Sequence, residues 1–256
     1  IAQLNSTGLD GDPVLSPDEL TLYYSTDPAG IFEFELRYAK RSAIGASWGE
    51  PVPLDSVNSM ASEWTFSPMQ DDRVAFFISN RMGGPGETDI WQVSRPDPAA
   101  EWGNPMLRFD LSSSVQDWDI WLAPDGLSAY WEGPGTVGPR DILWSQRFTL
   151  GDGFEPPQSL EVSSTSKDSS PALTADFKVL VFISERPGGT GEKDIWFSTR
   201  SETTQPWGDP QPLSVLNTPD LEGEVHISDD GCEFFFARAP VGTNDYDLYQ
   251  ADVVEL

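Results

Sequence analysis

The sequence predicts an all-β fold: a single five-bladed β-propeller of four-stranded antiparallel blades. Three observations lead there. A unit of about fifty residues recurs five times, a period typical of radial repeat architectures. Each unit carries the same ordered turn and strand signals. The chain also begins out of phase with the repeat, as a ring closed by its own first segment would.

The first signal is a short turn after a strand: Ser16-Pro17-Asp18, Ser67-Pro68-Met69, Ala123-Pro124-Asp125, Thr174-Ala175-Asp176 and Ser228-Asp229-Asp230. The second is a strand start at Glu35-Leu36-Arg37, Asp89-Ile90-Trp91, Asp141-Ile142-Leu143, Asp194-Ile195-Trp196 and Asp247-Leu248-Tyr249. The third is an aromatic–glycine turn ahead of a proline: Trp48-Gly49, Trp102-Gly103, Gly153-Phe154 and Trp207-Gly208. Between them lie four strands per unit. Strand a precedes the Pro-Asp turn and strand b is an apolar run such as Val74 to Ser79 or Val179 to Ser184. Strand c opens at Asp-Ile-Trp, and strand d comes after the Trp-Gly turn. The unbroken apolar runs of strand b imply burial on both faces, as stacked sheets require.

These signals place the blades at about 9–57, 58–111, 112–162, 163–216 and 217–256, in one domain spanning 1–256. The fifth unit ends after strand c, near Val254. Residues 1–6, Ile-Ala-Gln-Leu-Asn-Ser, resemble the strand d segments and are expected to pair with the last blade. Closure of that kind satisfies backbone groups that an open array would expose.

Composition narrows the function classes. The net charge is −27, a field that repels nucleic acid and anionic membranes and concentrates cations. No nucleic-acid partner is therefore expected. One cysteine, Cys232, allows neither an internal disulfide nor a thiolate zinc cluster. No run of eighteen or more apolar residues would span a membrane. A monomer is expected, acting on a protein or small ligand.

Strands alternate direction, so the loops entering strand a and those joining b to c share one face. Four residues before each turn stand Asp12, Glu63, Asp119, Ser170 and Glu224. Two residues earlier stand Asp10, Ala61, Asp117, Asp168 and Glu222. Strand a lines the channel, so these acids should ring its mouth. They could hold a cation, an ammonium group or a basic peptide, with Asp12, Asp119 and Glu224 as candidate oxygen ligands for Ca2+. They could equally be clasps that accept backbone hydrogen bonds, repeated because the fold repeats. The b–c loops 79–87 and 184–192 are nearly identical and glycine-rich. Arg81 and Arg186 in them are expected to pair with nearby carboxylates. Asp89, Asp141 and Asp194 should bond loop amides. His226 and Cys232 show no activating partner.

The Ser-Pro-Asp turn, aromatic strand, Ser-Asn-Arg, Gly-Gly-x-Gly and Asp-Ile-Trp sequence resembles the WD-like repeats of TolB-type bacterial propellers. That resemblance implies a periplasmic or secreted, non-enzymatic module binding at the channel mouth through Asp12, Glu63, Asp117, Asp119, Asp168, Glu222, Glu224, Arg81 and Arg186. Five-bladed propellers are also the scaffold of arabinanase- and xylosidase-like glycosidases. Asp12-Pro13 followed by Tyr23-Tyr24 looks like the start of such an enzyme. On that reading Asp12 is the general base, Glu63 or Glu224 the general acid and Asp119 a pKa modulator, with Trp64, Trp118 and Trp121 as exposed sugar platforms. Recurrence of the acids in four of five units favours the binding module.

Overall fold

The computed structural model describes residues 1–252 and contains five antiparallel sheets. The first blade runs β1 (Leu9–Leu15), β2 (Thr21–Asp27), β3 (Glu35–Lys40) and β4 (Val52–Pro53) from the axis outward. The second is β5 (Glu63–Pro68), β6 (Val74–Ser79), β7 (Asp89–Ser94) and β8 (Met106–Leu107). The third is β9 (Trp118–Leu122), β10 (Ser128–Pro134), β11 (Arg140–Gln146) and β12 (Gln158–Ser159). The fourth is β13 (Asp168–Leu173), β14 (Val179–Ser184), β15 (Asp194–Thr199) and β16 (Gln211–Pro212). The last is β17 (Leu221–Ile227), β18 (Glu233–Ala239) and β19 (Asp247–Asp252). Each innermost strand packs against the innermost strands of both neighbouring blades, and β17 packs against β1. The ring is closed.

The a–b turns show why the repeat reads as it does. In each, an aspartate side chain (Asp18, Asp71, Asp125, Asp176, Asp230) accepts a bond from the amide two residues on. The residue after it is left-handed: Glu19, Asp72, Gly126, Phe177 or Gly231, with φ between 51° and 80°. Its carbonyl accepts from the guanidinium that ends strand c in the first four blades, at Arg41, Arg95, Arg147 and Arg200. Each of those arginines stacks on the aromatic of the third sequence signal, Trp48, Trp102, Phe154 or Trp207, at 4.1–4.7 Å. One arginine thus ties two loops of a blade together.

Two expectations are corrected. In the second blade the turn is Met69-Gln70-Asp71, not Ser67-Pro68-Met69. The amide of Met69 bonds the Val74 carbonyl, as that of Ser16 bonds Thr21. The true register lies two residues downstream, because β5 carries a Ser-Pro pair that imitates the turn. Residues 1–6, in turn, do not form a fourth strand on the last blade. Ala2–Leu4 is a 3-10 turn, and the last sheet has three strands among the described residues. The segment corresponds to the turn that leaves strand d in other blades: the Leu4 amide bonds Ile1 as Val57 bonds Leu54 and Leu216 bonds Leu213. The expected end of the last strand near Val254 lies outside the described residues.

The N-terminal segment closes the ring through a side chain. Asn5 receives the Leu248 amide at 2.9 Å and donates to the Leu248 carbonyl at 3.4 Å. Asn58 does the same to Leu36, and Asn217 to Ile195. Leu4 is buried against Phe235 and Leu248. Asn5→Ala leaves strand β19 with an unpaired amide and is expected to cost about 1–2 kcal/mol, as Asn217→Ala should. In thermal melts the two variants should lose a similar few degrees. A loss for Asn5→Ala below a quarter of that for Asn217→Ala would refute its closing role.

Candidate functional site

Correcting the register by two residues separates the acids into two rings. The outer ring is Asp10, Glu63, Asp117, Asp168 and Glu222, one in every blade and each at most 1% exposed. Each accepts the amide four residues upstream, from Ser6, Ser59, Ser113, Ser164 or Thr218, in the connection arriving from the preceding blade. In four blades, strand b or the loop that follows it adds a second partner. Arg81 and Ser79 bond Glu63, Arg186 and Ser184 bond Asp168, and Arg238 bonds Glu222. Asp117 takes the Trp131 indole instead. Arg81 and Arg186 therefore pair with carboxylates as expected, and their partners are the clasps. Glu63, placed in the channel ring by sequence, is one of these clasps.

The inner ring lies two residues further on. Every innermost strand has a β-bulge there, between Gly11 and Val14 in β1 and at matching points in β5, β9, β13 and β17. The bulge residue has positive φ in each: Asp12 53°, Thr65 36°, Asp119 53°, Ser170 50° and Glu224 27°. Holding a non-glycine residue so costs about 1 kcal/mol or more. The bulge re-aims its side chain. Only three of the five are acids, in blades one, three and five.

Asp12, Asp119 and Glu224 form the floor of a cavity of about 270 Å3 at the channel mouth. Asp12 accepts from Ser25 and, at 2.9 Å, from Thr65. Asp119 accepts from Ser170 at 2.8 Å. No lysine or arginine forms an ion pair with any of the three among the described residues. Burial and mutual repulsion raise their proton affinities. Asp12 is pushed up by burial and by Glu224, and Asp119 by burial, Asp12 and Glu132. Glu224 rises to about 7 through burial and Asp119. Beneath them the channel narrows to His226, whose Nδ1 is buried without a partner, and burial drops its pKa to about 3.

The wall is aromatic. Phe32 and Phe34 from the first b–c loop and Tyr246 from the last face Trp64 and Trp118 from the inner strands. Trp64 meets Trp118 edge to face at 4.9 Å. Trp121, expected to be exposed, is 5% exposed and belongs to the core between blades. Sequence reasoning missed Glu132 and Lys167. Glu132 occupies the strand b position filled by Ile78 and Ile183 in blades two and four. It pairs with Arg140 at 2.7 Å and Lys167 at 3.3 Å. An acid inside an apolar strand was the available signal.

Outside this cavity, Asp89, Asp141 and Asp194 bond loop amides as expected. Cys232 is exposed, and neighbouring Asp230 raises its thiol pKa. Among the described residues no group of three His, Cys, Asp or Glu side chains has an arrangement suited to a metal ion. No helix among the described residues is long and apolar enough to cross a membrane.

No protein-family model and no curated protein sequence matches the chain. Solved structures do. TolB from Acinetobacter baumannii superposes with a TM-score of 0.57 at 14% identity, over 97% of this chain and 56% of TolB. The α-L-arabinofuranosidase PaAbf62A from Podospora anserina gives 0.61 at 12% identity, over 95% of this chain and 90% of the enzyme. A xylan β-1,4-xylosidase from Bacillus halodurans gives 0.59 at 12%, covering 96% and 53%. At these identities the likeness is one of fold.

The two rings should respond to mutation in opposite ways. Asp168→Asn removes the charge facing a mostly buried Arg186 and is expected to cost about 3–5 kcal/mol, read as a lower melting midpoint. For Glu224 the folded state holds its proton up to about pH 7 while the unfolded chain releases it near 4.5. Its favourable contribution is complete below about 4.5 and is lost as pH rises to about 7. Melting temperature should fall across that window, and Glu224→Gln should flatten the fall. A slope identical in the variant would show that Glu224 titrates normally.

Proposed function

We propose that this protein is a non-enzymatic binding propeller whose channel mouth takes an organic cation: an amine, a guanidine or the basic side chain of a peptide. One observation carries the reading. Three carboxylates from different blades share the floor of one cavity, none of them in an ion pair among the described residues, beneath a wall of five aromatic side chains. A cationic head would neutralise the floor and present its face to the rings, an arrangement worth about 2 kcal/mol or more once desolvated. The −27 net charge would draw such ligands in. A periplasmic or secreted setting, as the TolB-like resemblance implies, remains the proposed location.

Binding should displace protons, because acids that are partly protonated when empty must ionise to meet a cation. The test is calorimetry with agmatine at pH 7 in buffers of differing ionisation heat. The expected result is saturable binding with proton release, weakened at least about tenfold by Asp119→Asn and by Trp118→Ala. Calcium chloride is titrated in parallel. A response to calcium, lost in Asp119→Asn, with none to agmatine would replace the organic cation by the metal.

A glycosidase is the second reading, and one observation favours it. The channel acids occupy three unlike blades, so the objection that they merely repeat no longer applies. On this reading Asp12, Asp119 and Glu224 share the acid–base work and Trp64 and Trp118 stack on sugar. Turnover of a chromogenic arabinofuranoside or xyloside, abolished by Asp12→Asn, would establish it over the binding module.

A further inference from the structure

The cavity over the acid floor adjoins a second cavity, of about 530 Å3, on the far side of Tyr246. Asn244 and Tyr246 line both spaces, so the two meet across these side chains of the last b–c loop. The outer space is lined by Glu185, Glu192 and Arg186 as well as by Lys193, whose ammonium stands 3.5 Å from the Tyr246 hydroxyl. Lys167, at the rim of the inner cavity, is held by Glu132. Lys193 forms no ion pair among the described residues. A cation-seeking floor thus sits beside an unneutralised cation, with a tyrosine between them. The unpartnered Nδ1 of His226 lies in a separate space of about 20 Å3 below the floor, the size of one water molecule.

We propose that the site selects a zwitterion: a basic amino acid or a chain ending in one, its cationic group on the acid floor and its carboxylate on Lys193, draped over Tyr246. This rests on the organic-cation reading and adds polarity to it. A simple amine satisfies the floor alone. A ligand carrying a carboxylate about one side-chain length from its cation satisfies both ends, and charge-assisted bonding to an ammonium rewards it.

The experiment compares arginine with agmatine, which differs only by the missing carboxylate, on wild type and Lys193→Met. Titrations run in 0.5 M NaCl so that long-range charge effects are screened. Lys40→Met, at the far end of β3, serves as the charge control. The ratio of agmatine to arginine dissociation constants should fall at least about threefold in Lys193→Met and stay unchanged in Lys40→Met. An equal shift in both variants, or none in Lys193→Met, overturns the polarity while leaving cation binding intact. Failure of both ligands to bind wild type overturns the underlying cation reading instead. An acetylated tripeptide ending in arginine separates the sources: tighter binding than arginine assigns a chain end, weaker binding assigns the free amino acid. Melting temperatures within about 2 °C of wild type show that the variants are folded.

Discussion

Everything at the channel mouth depends on one buried hydrogen bond made five times: a carboxylate opening each innermost strand accepts the amide four residues before it. That bond fixes where the strand leaves the connection and turns toward the axis. Two residues later the bulge falls at a set point, and its positive φ directs one side chain into the channel. The clasp and the bulge are therefore a single device. The clasp carries the stability, and the bulge residue is free to vary because nothing structural requires its side chain.

That freedom explains the asymmetry of the site. All five clasp positions hold acids, since each must meet an upstream amide and, in most blades, a donor from strand b or the loop after it. The bulge positions hold two aspartates, a glutamate, a threonine and a serine. Thr65 and Ser170 donate to Asp12 and Asp119, so the hydroxyls of blades two and four support the acids of blades one and three. Repetition supplies a rigid frame. Departure from repetition supplies the chemistry, as is general where sites are grafted on scaffolds.

The walls obey the same logic. Phe32, Phe34, Asn244 and Tyr246 come from the b–c loops of the first and last blades, where the glycine-rich pattern of blades two and four is absent. The pocket therefore leans over the seam where the ring closes. Asn5 secures that seam with the same two-bond contact that Asn58 and Asn217 make inside the chain. Closure and ligand site are neighbours, so rigidity at one supports geometry at the other.

The sequence alone determined the propeller, its five blades and the face on which chemistry gathers, because strand alternation and turn chemistry are local and repeat in order. The pairing of Arg81 and Arg186 with acids, and the amide bonding of Asp89, Asp141 and Asp194, were legible for the same reason. Which acid belongs to which ring was not. Ser67-Pro68 imitates a turn inside β5, and only the backbone pairing of Met69 with Val74 exposes the two-residue offset that moves Glu63 from the channel to a clasp. Nor could the chain announce that Glu132, Lys167 and Tyr246 meet over Asp119 and Glu224, since they come from separate blades. Side chains far apart in sequence share a cavity only once the ring has closed, and that is decided by packing between sheets.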